Sequence, residues 1–177
     1  MKIIGLLLSA LFVSGCSQTI VPENLISGKF PTVEATRLSG ETITLPDELS
    51  NKPTILLVGY LQKAQFDIDR WLLGLLDAKI EANILEVPTI AGMIPGALSE
   101  LIDSGMRSGI PKNDWYSVAT VYKDAQKIIN VLGNQNPHLA HVVLLDKNGK
   151  ILWHYFNGYS PREIFKIRVL LKANFTV

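Results

Sequence analysis

Residues 54–71, "TILLVGYLQKAQFDIDRW", decide how this chain is read. Ile55 to Leu61 form a continuous apolar run, as expected of a strand covered on both faces. A polar loop follows at Gln62, Lys63, Ala64 and Gln65. From Phe66 to Ala82 the residues Ile68, Leu72, Leu75, Leu76 and Ile80 recur at helical spacing. Asp67 and Asp69 fall where the helix dipole favours negative charge. The stretch therefore predicts a buried strand, a short loop and an amphipathic helix. The loop contains no cysteine, and the chain has only one, Cys16.

On the N-terminal side, Val33 to Leu45 reads as a β-hairpin turning at Ser39-Gly40. On the C-terminal side, Ile84 to Ile90 predicts a short strand, placed near an edge by Pro88. A helix is expected from Pro95, with Leu98, Leu101, Ile102 and Met106 on its buried face. It should stop at Gly105, Gly109 and Pro111. Tyr116 to Tyr122 is β-rich, and Asp124 to Leu132 predicts a helix closed by Gly133. Residues 141–156, "HVVLLDKNGKILWHYF", give the strongest hairpin signal, turning at Asn148-Gly149. Ser160-Pro161-Arg162-Glu163 has the pattern of a capping box, with proline at the first helical position. It opens a helix carrying Ile164, Ile167, Leu170 and Leu171. Helix-linked strands followed by a hairpin predict a mixed α/β sheet with helices on both faces.

The N-terminal stretch "MKIIGLLLSALFVSGC" has a different character. Lys2 precedes an apolar run, Ile3 to Val13, that is too short to span a bilayer. Val13-Ser14-Gly15-Cys16 resembles the lipobox of bacterial lipoproteins. That resemblance implies a signal peptide over residues 1–15, a lipidated Cys16 with a tether over 16–28, and a folded domain over 29–177. Two or more acyl chains anchor a protein stably, whereas one is marginal. Ser17 resembles the residue that sorts Gram-negative lipoproteins to the periplasmic face of the outer membrane. With Cys16 lipidated no thiol remains, which excludes thiol peroxidase, reductase and disulfide-isomerase chemistry. Without Lys2, 16 Lys and Arg balance 16 Asp and Glu. That balance argues against a nucleic-acid partner and against strong attraction to anionic head groups. Gly92 to Gly96 lacks phosphate-loop spacing, so no nucleotide is expected, and nothing in the sequence calls for a cofactor.

Residues 30–60 and 141–153 resemble the two ends of the thioredoxin-like superfamily, including its membrane-anchored and peroxiredoxin-related branches. The resemblance implies a thioredoxin-like mixed sheet with an N-terminal β-hairpin. Within the superfamily, "LPDEL", the Trp71 helix, "SGIP", "LLDKNGKILW" and "GYSPRE" look most like the mitochondrial ATP-synthase assembly factor family. Members of that family are regarded as chaperone-type proteins, not redox enzymes. The superfamily's Cys-x-x-Cys pair would fall near Gln65 to Ile68, and its cis-proline at Ala140, with Pro137 out of register. Both features are missing, so the redox site is dismantled.

The same edge could remain a peptide groove formed by Tyr60, Lys63, Gln65, Phe66, Leu139, Ala140 and His141. In active relatives the backbone before the cis-proline pairs with substrate, a β-augmentation contact. Trp71 is better read as a core residue. Lys63, Gln65 and Asp67 are better read as a solvated loop than as a catalytic set. The three histidines, His138, His141 and His154, suggest a competing metal-binding role, with 141 and 154 nearly opposite in the hairpin. Copper-delivery proteins of this fold use a cysteine pair with a histidine, and the pair is missing here. Ordinary strand-end histidines are the simpler reading. Asp103 and Arg107 have the spacing of a helical ion pair. The sequence therefore favours a binding protein, anchored in the cell envelope, over an enzyme.

Overall fold

The computed structural model describes residues 28–49, 52–92 and 96–175. The expected signal peptide, Cys16, the expected tether up to residue 27 and Pro95 lie outside the described residues. Among the described residues there are seven strands and four α-helices. They are β1 (Val33–Arg37), β2 (Thr42–Leu45), β3 (Thr54–Gly59), α1 (Gln65–Asp77), β4 (Asn83–Pro88), α2 (Gly96–Gly109), β5 (Ala119–Thr120), α3 (Ala125–Leu132), β6 (His141–Leu145), β7 (Ile151–Tyr155) and α4 (Pro161–Phe175).

The strands form a four-stranded sheet ordered β4-β3-β6-β7 and a three-stranded sheet ordered β2-β1-β5. In the first, β3 pairs in parallel with β4 and antiparallel with β6. Two parallel bridges, Glu86 with Val118 and Thr89 with Val121, join the sheets across β4. The expected mixed α/β architecture is thus present, with its N-terminal hairpin in the smaller sheet.

Strand β3 is buried along its whole length because both of its faces are covered. Ile55 and Leu57 point to a core that contains Trp71 and Leu75 of α1 and Ile164 and Ile167 of α4. Leu56 and Val58 point to the opposite core, with Phe30, Ile43, Ile128 of α3 and Val143. Burying a side chain of this size contributes about 1.5–3 kcal/mol. Helix α1 approaches α4 closely at Gly74, where a Cβ would lie 2.6 Å from both Ile164 Cδ1 and Tyr159 Cε2. Trp71 is fully buried, and its ring meets Trp153, Tyr155 and Tyr159 edge-on. Its role is packing.

Three expectations change. Helix α1 ends at Asp77, not Ala82. Lys112–Ser117 is a 3-10 helix, which leaves β5 only Ala119 and Thr120. Helix α2 passes through Gly105 and buries its expected apolar face only in part: Leu98 is 43% and Leu101 68% exposed, while Ile102 and Met106 are half-buried. The buried residue of α2 is Asp103, which accepts a hydrogen bond from the Tyr122 hydroxyl at 2.6 Å. Arg107 pairs with Glu100 at 3.0 Å, in place of Asp103, and donates from Nε to the Leu38 carbonyl at 2.9 Å. Polar contacts to the body set the roll of this helix.

Candidate functional site

The end of β3, the start of α1 and the turn before β6 converge on Asp67. This residue lies in the first turn of α1 and is 4% exposed. Its Oδ2 accepts the Ala140 N–H at 3.0 Å, and its Oδ1 accepts the Tyr159 N–H at 2.8 Å. Gly158 makes the second bond possible: its φ of +86° turns the chain so that the next N–H faces the carboxylate. Asp67 is therefore a buried clamp on two loops, which corrects its assignment to a solvated loop.

The two departures seen in sequence are coupled at this point. A proline at position 140 has no N–H to give. Alanine there brings a buried donor into the site, and Asp67 satisfies it. Leaving such a donor unpaired costs roughly 1–3 kcal/mol. The local rule that exposes this is available in sequence, since replacing proline always adds an N–H that needs an acceptor. The partners themselves are 73 and 92 residues away in sequence.

The predicted groove residues separate into distinct environments. Phe66 is 80% exposed, and Lys63 and Gln65 are exposed beside it. Gln65 donates from Nε2 to Asp69 at 2.9 Å and reaches Glu86 at 3.4 Å. Burial raises the Glu86 carboxyl above the usual carboxylate range, and the contact with Gln65 opposes that shift. Leu139 is half-buried against Gly158, and its N–H donates to the Asn136 carbonyl at 2.8 Å. The N–H groups of 139 and 140 are thus both engaged within the chain, which removes them as partners for an added peptide strand. His141 is inside β6 and paired with Val58.

Tyr60 belongs to the opposite core. Its ring meets the edge of His141 with centroids 4.9 Å apart, its hydroxyl is buried without a partner among the described residues, and burial pushes its pKa up. His141 and His154 are both buried, at 0% and 4% exposure, while His138 is exposed on the preceding turn. His154 lies opposite Val143, so the two histidines are diagonal neighbours on one face. His141 Nδ1 and His154 Nε2 are 3.1 Å apart, and His141 Nε2 is 2.7 Å from the Gln135 carbonyl.

The tautomers follow from that chain of contacts. A carbonyl only accepts, so His141 carries its proton on Nε2 and accepts on Nδ1 from His154 Nε2–H. His154 Nδ1 is then a buried lone pair, and it has no partner among the described residues. Burial lowers His141 to about 4 and His154 to about 3, so both rings are neutral at pH 7. Both nitrogens of His141 are engaged, and the pair offers a metal one free lone pair. Among the described residues no group of three His, Cys, Asp or Glu side chains is placed to hold a metal ion.

The architecture around this clamp recurs in solved structures. The fold is thioredoxin-like. One neighbour is the exposed lipoprotein thioredoxin of Streptococcus pneumoniae, at TM-score 0.54 and 15% identity, covering 78% of this chain and 99% of that one. Another is yeast Sco1 with copper bound, at TM-score 0.57 and 15% identity, covering 82% and 93%. A third is an uncharacterized thioredoxin-like protein from Porphyromonas gingivalis, at TM-score 0.53 and 18% identity, covering 83% and 94%. No protein-family model and no curated protein matches the chain. In this thioredoxin-like frame the start of α1, where the resemblance places the superfamily's Cys-x-x-Cys pair, carries Asp67 and no thiol.

Proposed function

We propose that the chain is a lipid-anchored, thioredoxin-like domain without thiol chemistry that holds or helps assemble a protein partner at the cell envelope. The observation that carries this reading is the Asp67 clamp. A buried carboxylate that joins Ala140 to Tyr159 occupies the place where a redox enzyme of this fold would open its dithiol to substrate. A carboxylate committed to two backbone donors has no nucleophilic or redox role there. The two hydrogen bonds tie the segments at 67, 140 and 159 together, and loops held by a scaffold in this way commonly carry binding residues.

The β-augmentation part of the original expectation gives way to side-chain contact. With the 139 and 140 N–H groups engaged, the available surface is the exposed Phe66 with Leu61, which is 47% exposed. Exposed aromatic side chains such as Phe66, at the start of α1, are enriched in protein interfaces. The resemblance to ATP-synthase assembly factors supports the same class of activity, and anchoring through Cys16 would confine it to a membrane surface.

The test is photo-crosslinking in native membranes with a photoreactive residue at position 66 or 61, compared with position 112 on the 3-10 turn. A discrete partner captured from 66 or 61, and lost in the Phe66→Glu protein, is the expected result. Equal capture from all three positions would remove this surface from consideration.

The copper-bound neighbour and the histidine pair suggest metal handling as a second reading. The geometry supports it less, because His141 has no free nitrogen. A thermal-shift measurement with copper or zinc, repeated on the His141→Ala/His154→Ala protein, separates the two. Stoichiometric metal and a histidine-dependent rise in Tm would favour the metal reading.

A further inference from the structure

The starts of β3, β4 and β7 and the end of β6 lie at one pole of the larger sheet, because Thr54 pairs with both Asn83 and Leu145 and Leu145 pairs with Ile151. Four segments emerge there: 52–53, 78–82, 146–150 and the chain entry at 28–29. The entry is fixed by the bridge between Lys29 and Lys150 and by the Ile151 N–H donating to Gly28 at 2.8 Å. The C-terminal half of α4 joins the same pole, where Arg168 donates to the Ala78 carbonyl at 2.5 Å.

This pole collects positive charge that the neutral overall balance conceals. Lys29, Lys52, Lys79, Lys147, Lys150, Arg168 and Lys172 are all exposed on it. Glu81 and Asp146 stand among them, with Asp77 and the Asp47-Glu48 turn at the margin. Asp146 is already engaged, accepting the Asn148 and Lys150 N–H groups at 2.8 Å each. Lys79, Arg168 and Lys172, with Glu81 as the one acidic neighbour, also line an open cleft of about 650 Å³ whose apolar wall includes Ile80, Leu171 and Phe175. A rim with three cations against one carboxylate, over an apolar floor, matches an anionic phospholipid: phosphate at the rim and glycerol or upper acyl carbons below.

We infer that this pole is the face the domain lays on an anionic phospholipid surface, with the 79/168/172 cleft receiving a head group. The inference rests on the anchoring proposed above. The chain leaves for Cys16 from this same pole, and the 11 intervening residues reach at most about 40 Å. The tether alone permits several orientations, and the charge selects among them. Lysines near an anionic leaflet are attracted within roughly one Debye length, about 10 Å at 0.1 M salt. The opposite pole, with Phe66 and Leu61, is then presented away from the membrane.

The mature lipidated protein is reconstituted on phosphatidylcholine vesicles, with and without about 30 mol% phosphatidylglycerol, and its lysines are labelled with a water-soluble amine reagent. Mass spectrometry compares Lys29, Lys52, Lys79, Lys147 and Lys150 with Lys63, Lys112 and Lys123. The expected result is labelling of the first group slowed about threefold on anionic vesicles only, with the difference gone at high salt. The Lys79→Glu/Lys150→Glu protein should float with both vesicle types yet lose protection at Lys29 and Lys52. Uniform labelling on vesicles that carry the protein overturns the orientation and leaves the anchor standing. Failure to float with neutral vesicles overturns the anchor, and the orientation falls with it.

Discussion

Asp67 and the two buried histidines show how much depends on single polar groups in this interior. Asp67→Ala would leave the Ala140 and Tyr159 N–H groups without their acceptor. A loss of about 2–4 kcal/mol in urea-unfolding stability is expected, since each buried donor left unpaired costs roughly 1–3 kcal/mol. Asp67→Asn keeps one acceptor oxygen and turns an NH2 toward the other donor, so it should fall between the two. If Asp67→Ala unfolds at the same urea concentration as the parent, the clamp is not structural. The histidines give a pH signature. Their folded values, about 4 and about 3, lie below the ordinary value of 6.5. Between these limits the unfolded chain binds more protons than the folded one, so stability rises with pH up to about 6.5 and is flat above. Lowering the pH from 7 to 5 should cost on the order of 2 kcal/mol per histidine. His154→Leu should remove about half of that slope in unfolding measured across the range. An unchanged slope would mean the rings are already solvated.

Gly74 and α2 make a comparable point at the level of whole elements. Replacing a helical glycine by alanine usually stabilises by about 1 kcal/mol. At Gly74 the sign should reverse, because the added methyl meets Ile164 and Tyr159 at 2.6 Å. Overpacking of this kind costs roughly 1–3 kcal/mol, so Gly74→Ala should lower Tm by several degrees. A higher Tm would show that α4 can yield. Helix α2 was expected to carry Leu98, Leu101, Ile102 and Met106 on one face, which an amphipathic helix ordinarily turns to the core. It is rolled instead by Asp103 to Tyr122 and Arg107 to Leu38. Tyr122→Phe should therefore destabilise more than Leu101→Ala, by about 1.5–3 kcal/mol against less than about 0.5 kcal/mol. The hairpin at Asn148-Gly149 and helix α4 were legible in sequence because their signals are local. The burial of α2 was not, since it depends on contacts 19 and 69 residues distant.

The molecule as a whole has the layered frame of a thioredoxin-like protein, and the start of its α1 is closed by the hydrogen bonds that Asp67 accepts from the Ala140 and Tyr159 backbone. Purified protein should therefore reduce neither insulin disulfides nor hydroperoxides above the uncatalysed rate, with or without added dithiol. Measurable turnover would contradict the proposed function. Much of this was open to inspection of the chain alone. The run from Ile55, the period from Ile68 and the two hairpins specify their own elements, because strand and helix repeats act over a few residues. The single cysteine at position 16 is a covalent fact that needs no fold to interpret. What tertiary structure decided is which distant groups meet. It took Asp67 from the loop to the interior, separated Tyr60, packed against one core, from Phe66, exposed on α1, joined His141 to His154 while leaving His138 outside, and gathered lysines from four segments at one pole. Each outcome depends on desolvation and hydrogen bonding between groups far apart in sequence, and only a packed sheet with two covered faces brings those groups within reach.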